Sequence, residues 1–188
     1  NVGDAATEPV VRKALAIGAN DAVRVNAEAK DSFSVAKEIA KVAQDGGYDL
    51  ILTGKESIDY NGGAVPGMVA QLLNIPFVNA SVGLDVNGSE ATVVREIEGG
   101  KETISVKLPA VVAGQKGLVD EKDLIIPNMR GIMSARTKPL QVVEPSNSEV
   151  KVEAVSFDSV APRAAVKLVS ADNLDELVRL LHEEAKVI

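Results

Sequence analysis

Apolar residues follow two rhythms along the chain, and the change from one to the other organises it. As far as Pro76 they alternate between stripes at helical spacing and short continuous runs. Residues 4–18 carry Val10, Val11, Ala14, Leu15 and Ile17 on one helical face, with Thr7 as N-cap, Glu8 and Pro9 in the first turn and Gly18 just past the end. Residues 22–27 read as a short strand. Asp31 or Ser32 then caps a second helix with Phe33, Ala36, Ile39, Val42 and Ala43 inward, closed by Gly46 and Gly47. Residues 49–53 hold the run Leu50, Ile51, Leu52 between glycines, the pattern of a parallel-sheet strand buried on both faces. A third helix follows, with Val65, Met68, Val69, Leu72 and Leu73 in register and Pro66 in its first turn, where a missing N–H costs little. Strand and helix alternating at this spacing predict βαβ units and a parallel sheet.

After Pro76 the rhythm changes to alternation. Residues 78–86, 91–97 and 102–108 read as strands, with the hairpin signals Asn87-Gly88 and Gly99-Gly100 between them, and 109–114 returns an apolar strand to the core. Residues 115–138 read as a loop or irregular helix. Residues 140–143 and 150–155 are strand-like around the turn-rich 145–148. Residues 156–165, which contain Pro162, read as extended, and Ala171-Asp172-Asn173 caps a last helix with Leu174, Leu177, Val178 and Leu181 on one face. The expected architecture is an α/β nucleotide-binding domain over 1–145, built on a parallel sheet with an antiparallel excursion. A C-terminal arm over 146–188 follows, of the kind that packs on another subunit.

Composition narrows the function classes. With 188 residues and 46% hydrophobic content the chain can build a core. A net charge of −7, no Trp, two Tyr and three Phe argue against nucleic acid, which needs a basic face and stacking surfaces. Cysteine is absent, which removes disulfides and thiolate chemistry and fits a reducing compartment. No apolar run reaches the roughly 18 residues that a membrane span requires, and residues 1–4 show neither a charged nor an apolar signal region. His182 is the sole histidine and sits where a helix C-terminus favours a cation, so a solvated role is expected. No acidic cluster spaced for metal and no GxSxG elbow is present.

The richest chemistry lies between residues 54 and 65. A glycine-rich loop joining a strand's carboxyl end to a helix's amino end exposes backbone N–H groups in the field of the helix dipole. Gly62 and Gly63 permit close approach, Ser57 and Asn61 offer donors, Lys55 adds charge, and Asp59 suits a ribose hydroxyl or an adenine amine. The segment is neither a Walker A motif nor GxGxxG. Two readings stand: a nucleotide or phosphate site, or a polar connection. A second candidate surface is Leu124-Ile125-Ile126-Pro127 with Met129, Ile132 and Met133, among Lys116, Lys122, Arg130, Arg136 and Lys138. It reads either as a core helix with a solvated basic face or as an apolar docking loop with a cationic skirt. Arg95 and Glu96 form either an ordinary exposed hairpin pair or a functional contact.

These residues resemble the electron transfer flavoprotein beta subunit family. GKESIDYNGGAVPGMVAQLL (54–73) is similar to its nucleotide-binding segment, VREIEGGKE (94–102) to its acidic hairpin, KLPAVV (107–112) to its core strand and 127–138 to its basic recognition segment. The matches come in family order and cover essentially the whole chain. The resemblance implies a Rossmann-like, three-layer domain of the adenine nucleotide alpha hydrolase type. It implies an AMP lined by Val2, Gly54, Lys55, Glu56, Ser57, Ile58, Asp59, Tyr60, Asn61, Gly62, Gly63, Ala64 and Val65. It also implies an FAD enclosed together with an alpha subunit, and docking of acyl-CoA or other flavin dehydrogenases. In the family a leucine anchors the dehydrogenase; Ile126 stands at that position, with Pro127, Met129, Arg130 and Ile132 around it, and Met129-Arg130-Gly131 reads as an insertion relative to some members. A glutamate at the position of Glu96 contacts the mobile flavin domain of the alpha subunit. Members carry further residues ahead of Asn1, so a truncated or partly absent first portion is expected. The implied role is a non-catalytic electron-carrier subunit in the bacterial cytoplasm or, in a eukaryote, the mitochondrial matrix. Two alternatives stay open: a bifurcating member with a second FAD in place of AMP, and a stand-alone adenine-nucleotide sensor of the universal-stress type.

Overall fold

The computed structural model describes residues 1–188 apart from Asn147 and Ala164, so the expected turn at 145–148 and the extended segment 156–165 each fall partly outside the described residues. Chain contacts divide it into two units, Asn1–Glu153 and Ala154–Ile188.

The first unit opens with a 3-10 turn, Ala5–Thr7, running into α1, Glu8–Ala16. Asp4 caps this start by accepting from the Ala6 amide, whereas Thr7, at the expected cap position, makes no side-chain cap bond and donates its hydroxyl to the Asp4 carbonyl. Strand β1 (Ala22–Val25) leads to α2 (Ser32–Gly46). Asp31 caps α2 through the Ser34 amide, and Gly47 ends it in the left-handed conformation that a side chain resists. Strand β2 (Leu50–Gly54) and α3 (Val65–Leu73) complete the alternating half.

Strands β3 (Phe77–Asn87), β4 (Glu90–Ile97), β5 (Gly100–Lys107) and β6 (Ala110–Gly114) follow as the alternation predicts. They build one mixed sheet in the order β2-β6-β3-β4-β5. β6 lies parallel between β2 and β3, pairing Ile51 with Val111 and Val78 with Val112. The β3–β6 register breaks between Val78 and Ser81, around Ala80, a non-glycine residue at φ 53°, and from Ser81 β3 runs antiparallel to β4. A second, two-stranded parallel sheet joins β1 to β7 (Leu140–Val143), and Val2 pairs in parallel with Val25 at its margin. Between β6 and β7 run a 3-10 turn, Glu121–Asp123, and a short helix α4, Met129–Ala135.

Two apolar clusters hold the mixed sheet. One gathers Val78, Ala91, Val93, Val106, Ala110 and Val112 on the face beneath the antiparallel strands. The other packs Val111 against Ala36 of α2 and Val69 and Ala70 of α3. The architecture is α/β with helices on a parallel sheet and an antiparallel excursion, consistent with a three-layer α/β domain.

The structure departs from the sequence reading at three elements. β2 is the edge of its sheet rather than a strand buried on both faces, and Leu52 is 57% exposed. An apolar run states only that a strand needs cover, not which neighbour supplies it. Residues 150–155 form no strand: the amides of Lys151 and Val152 donate to Asp31 Oδ2 at 2.6 and 3.1 Å instead of entering a ladder. Arg95 pairs with Glu102 across the hairpin at 2.7 Å, not with Glu96, because adjacent strand residues point to opposite faces.

In the second unit, α5 (Leu174–Arg179) is capped by Asn173, which accepts from the Glu176 amide, and runs into a π-helical turn, Leu180–Glu184. Leu174 and Val178 remain largely exposed and Leu177 partly so.

Candidate functional site: a glycine-rich loop and an exposed apolar helix

The loop after β2 is shaped by its two ends. Lys55 donates its amide to the Gly114 carbonyl at 2.9 Å, which ties the loop's start to the end of β6. Ser57 and Gly62 exchange both backbone hydrogen bonds, at 2.9 and 3.1 Å, and so pinch residues 58–61 into a small closed turn. Asn61 takes the left-handed conformation there (φ 51°), which asparagine tolerates. Ile58 and Tyr60 project outward. Asp59 accepts the Tyr60 amide, and hydrogen bonds from Ser57 and then Tyr60 hold its carboxyl below the usual carboxylate range, so it is anionic at neutral pH. Lys55 reaches Glu56 at 3.6 Å.

The helix that receives the loop has an open start. Ala64 stands at the N-cap of α3 and makes no side-chain cap bond, so the first-turn amides of α3 have no such acceptor. Beside it, at the carboxyl end of β2, the Thr53 hydroxyl is buried without a partner. Gly63 lies against the Lys55 carbonyl, where an added Cβ would come within 3.3 Å. Exposed donors, an open helix start and a glycine cradle fit a phosphate-bearing ligand, and the anionic Asp59 fits its hydroxyl or amine end. Val2 lies elsewhere: it lines a cavity of about 260 Å³ with Asn1, Val23, Val25, Leu50 and Leu52, which includes no residue of the loop. Ser57, Asn61, Gly62 and Gly63 thus meet in one turn, while Val2 pairs with Val25 of β1 away from it.

The second surface is α4 and the segment before it. Asn128 caps α4 through the Gly131 amide at 2.8 Å. Of the seven residues of α4 only Ala135 is buried. Ile125, Ile126 and Met129 are 70%, 80% and 74% exposed, and Ile132 and Met133 are open as well. This string is therefore not a core helix. Pro127 and Arg130 are exposed beside it. Lys138 leaves the expected cationic skirt: its ammonium donates to the Leu15 and Ala19 carbonyls at 2.8 and 2.6 Å. Glu96, at the end of β4, accepts from the Gln115 side chain just past β6. That contact joins the acidic hairpin to the start of the segment leading to α4, and no sequence spacing announces it. The buried Thr53 hydroxyl also escaped the sequence reading; its only signal was a hydroxyl residue at a strand's carboxyl end.

Among the described residues no group of histidine, cysteine, aspartate or glutamate is arranged to hold a metal, and no helix is long and apolar enough to cross a membrane.

Comparison with known proteins bears on both surfaces. Residues 1–148 match the family described as the electron transfer flavoprotein domain. A protein of Bacillus subtilis (strain 168), electron transfer flavoprotein subunit beta, is 34% identical over 100% of this chain and 77% of its own length. Its human counterpart of the same name is 31% identical over 98% of this chain and 74% of its own length. A mitochondrial subunit beta of Oryza sativa subsp. japonica is 34% identical over 100% of this chain and 76% of its own. The chain belongs to the electron transfer flavoprotein beta-subunit family. Its role is electron transfer as part of a flavoprotein.

Proposed function

We propose that this chain is the beta subunit of a heterodimeric electron transfer flavoprotein that binds AMP in the Gly54–Val65 loop, helps an alpha subunit enclose FAD, and docks flavin dehydrogenases through the segment around Ile126. The observation that carries the reading is the open start of α3 behind a pinched glycine-rich turn, in a chain of this family. The ligand phosphate sits on the amides at the start of α3, with Gly62 and Gly63 allowing close approach and Lys55 balancing charge. Asp59, anionic and outside the phosphate cradle, receives the ribose hydroxyls or the adenine amine. Val2, which the family resemblance adds to the pocket, stands apart from this cradle and lines the cavity beside Leu50 and Leu52. AMP in this position is structural: binding the folded state alone adds RT ln(1 + [L]/Kd) to its stability.

The FAD supplies the redox chemistry when bound; this chain contributes shielding and recruitment and has no catalytic constellation of its own. Residues 1–145 form the nucleotide-binding domain, and 146–188 form an arm whose apolar α5 face packs on the alpha subunit. Ile126, Pro127, Met129 and Ile132 anchor the dehydrogenase, with Arg130 on the rim to attract an acidic partner. Glu96, held by Gln115, faces the alpha subunit's flavin domain. The complex passes electrons from acyl-CoA or other flavin dehydrogenases to a quinone oxidoreductase or another acceptor, in the bacterial cytoplasm or the mitochondrial matrix.

The test is co-expression with the alpha subunit followed by denaturing release and counting of bound groups per heterodimer. One FAD and one AMP is the expected result. Two FAD and no AMP would overturn the AMP assignment in favour of a bifurcating carrier. Neither ligand, with no alpha subunit retained, would overturn the whole reading and favour a stand-alone nucleotide sensor.

A further inference from the structure

Helix α4 keeps its apolar side chains outside and still holds a fixed place. Seven residues are too few for a helix to persist by its own propensity, and burial of one alanine adds little. What holds it is polar and reciprocal. Arg12 of α1 sends Nη1 to the Ala135 and Lys138 carbonyls, both at 2.9 Å, across the end of α4. Lys138 sends Nζ back to Leu15 and Ala19, across the end of α1. The Ala135 carbonyl at the end of α4 is thus capped by Arg12 of α1, and the Leu15 carbonyl at the end of α1 by Lys138, three residues past α4, where positive charge also complements both dipoles. Glu8, one turn before Arg12, accepts from Nε and Nη2 at 3.3 Å and fixes the guanidinium plane. The third element is Gly131, packed so closely on α1 that an added Cβ would overlap the Ala16 carbonyl.

We propose that Arg12, Lys138 and Gly131 are positioning residues for dehydrogenase docking: they seat α4 on α1 through polar caps and one close backbone contact, so that Met129, Ile132 and Met133 stay free for the partner. The inference rests on the docking role given to this segment above. A helix held by its apolar face would bury the side chains that docking needs; one held by caps presents them already ordered, which lowers the ordering cost on association.

The test uses the FAD-loaded heterodimer carrying Arg12→Met, Lys138→Met or Gly131→Ala, with Lys138→Arg as the conservative control. Two quantities are read: hydrogen exchange of the Ile132, Arg136 and Thr137 amides, and the half-saturating concentration of the carrier toward an acyl-CoA dehydrogenase reduced by its acyl-CoA. Reduction by dithionite monitors the flavin itself. Faster exchange across α4, a rise of about tenfold in half-saturating concentration, unchanged dithionite reduction and recovery in Lys138→Arg are expected. Unchanged exchange in all three variants overturns the inference, as does faster exchange with unchanged half-saturation. Ile126→Ser and Met129→Ser separate this from failure of the docking reading: if neither alters half-saturation, the docking role itself falls, whatever α4 does.

Discussion

The carboxylate of Glu38, 4% exposed in the second turn of α2, accepts the hydroxyl of Ser146 at 2.6 Å from a residue 108 positions further along the chain. The Ser146 amide reaches both Glu38 oxygens at 3.0 Å and the Ser148 hydroxyl adds a bond at 2.8 Å. Burial pushes the Glu38 carboxyl up, but these bonds outweigh it and hold the group below its ordinary value. One side chain therefore satisfies three donors of the segment that follows β7.

Glu38→Ala should leave those donors without their acceptor and destabilise the first unit by about 1–3 kcal/mol. Urea unfolding followed by circular dichroism measures the loss, and amide exchange at Ser146 should accelerate in the same variant. An unchanged midpoint would show that water replaces the carboxylate without penalty.

Asp31 makes a pH-dependent contribution at the N-cap of the same helix. Bonds from Ser34, foremost, and from the Lys151 and Val152 amides draw its carboxyl down to about 2, from an ordinary value of 3.8. The folded value lies below the unfolded one, so the stabilisation is complete above the ordinary value and disappears as the pH falls toward about 2. Melting temperature followed from pH 5 to pH 2 should drop in the parent and drop less in Asp31→Asn, which cannot titrate at this position.

Leu15 is fully buried in α1, and Leu15→Ala should cost about 2–5 kcal/mol, the range for a large-to-small core change. Leu168, 93% exposed in the second unit, should tolerate alanine within about 0.5 kcal/mol in the isolated chain. Comparing the two by chemical denaturation tests where the core ends.

Asp59→Ala should leave folding unchanged, since the carboxylate is exposed, and weaken AMP binding by the heterodimer about tenfold, the effect of losing one charged hydrogen bond. Equilibrium dialysis with AMP reads it; equal affinity would remove Asp59 from the pocket.

Local signals in the sequence carried much of the fold. The Asp31 cap, the Gly47 stop, the two hairpins and the returning 110–114 strand each depend on residues a few positions apart, and each stands close to where the pattern places it. The readings that failed depend on distant partners. Nothing near Leu52 states that β2 closes a sheet edge, and nothing near Val150 states that its neighbours' amides go to Asp31. The burial of Glu38 follows from serines on a segment over a hundred residues away, and Lys138 left its expected place in a basic skirt because α1 ends beside it. At the candidate site the glycines and the helix stripe were legible, whereas the Ser57–Gly62 bridge and the Glu96–Gln115 contact were not, since neither has a characteristic spacing.

That Ser57–Gly62 bridge changes what a ligand would have to do. Fixing one residue's backbone costs roughly 1–2 kcal/mol in entropy, so ordering all of 55–64 at the moment of binding would cost about 10–20 kcal/mol. The bridge and the Lys55–Gly114 bond close the turn at 58–61 and tie the loop's start to β6 during folding, so much of that cost is met before any ligand arrives. A pair of main-chain hydrogen bonds thereby lowers the ordering cost that a small ligand would meet there. Weakening the pinch would show as lost affinity with every side chain of the loop still in place.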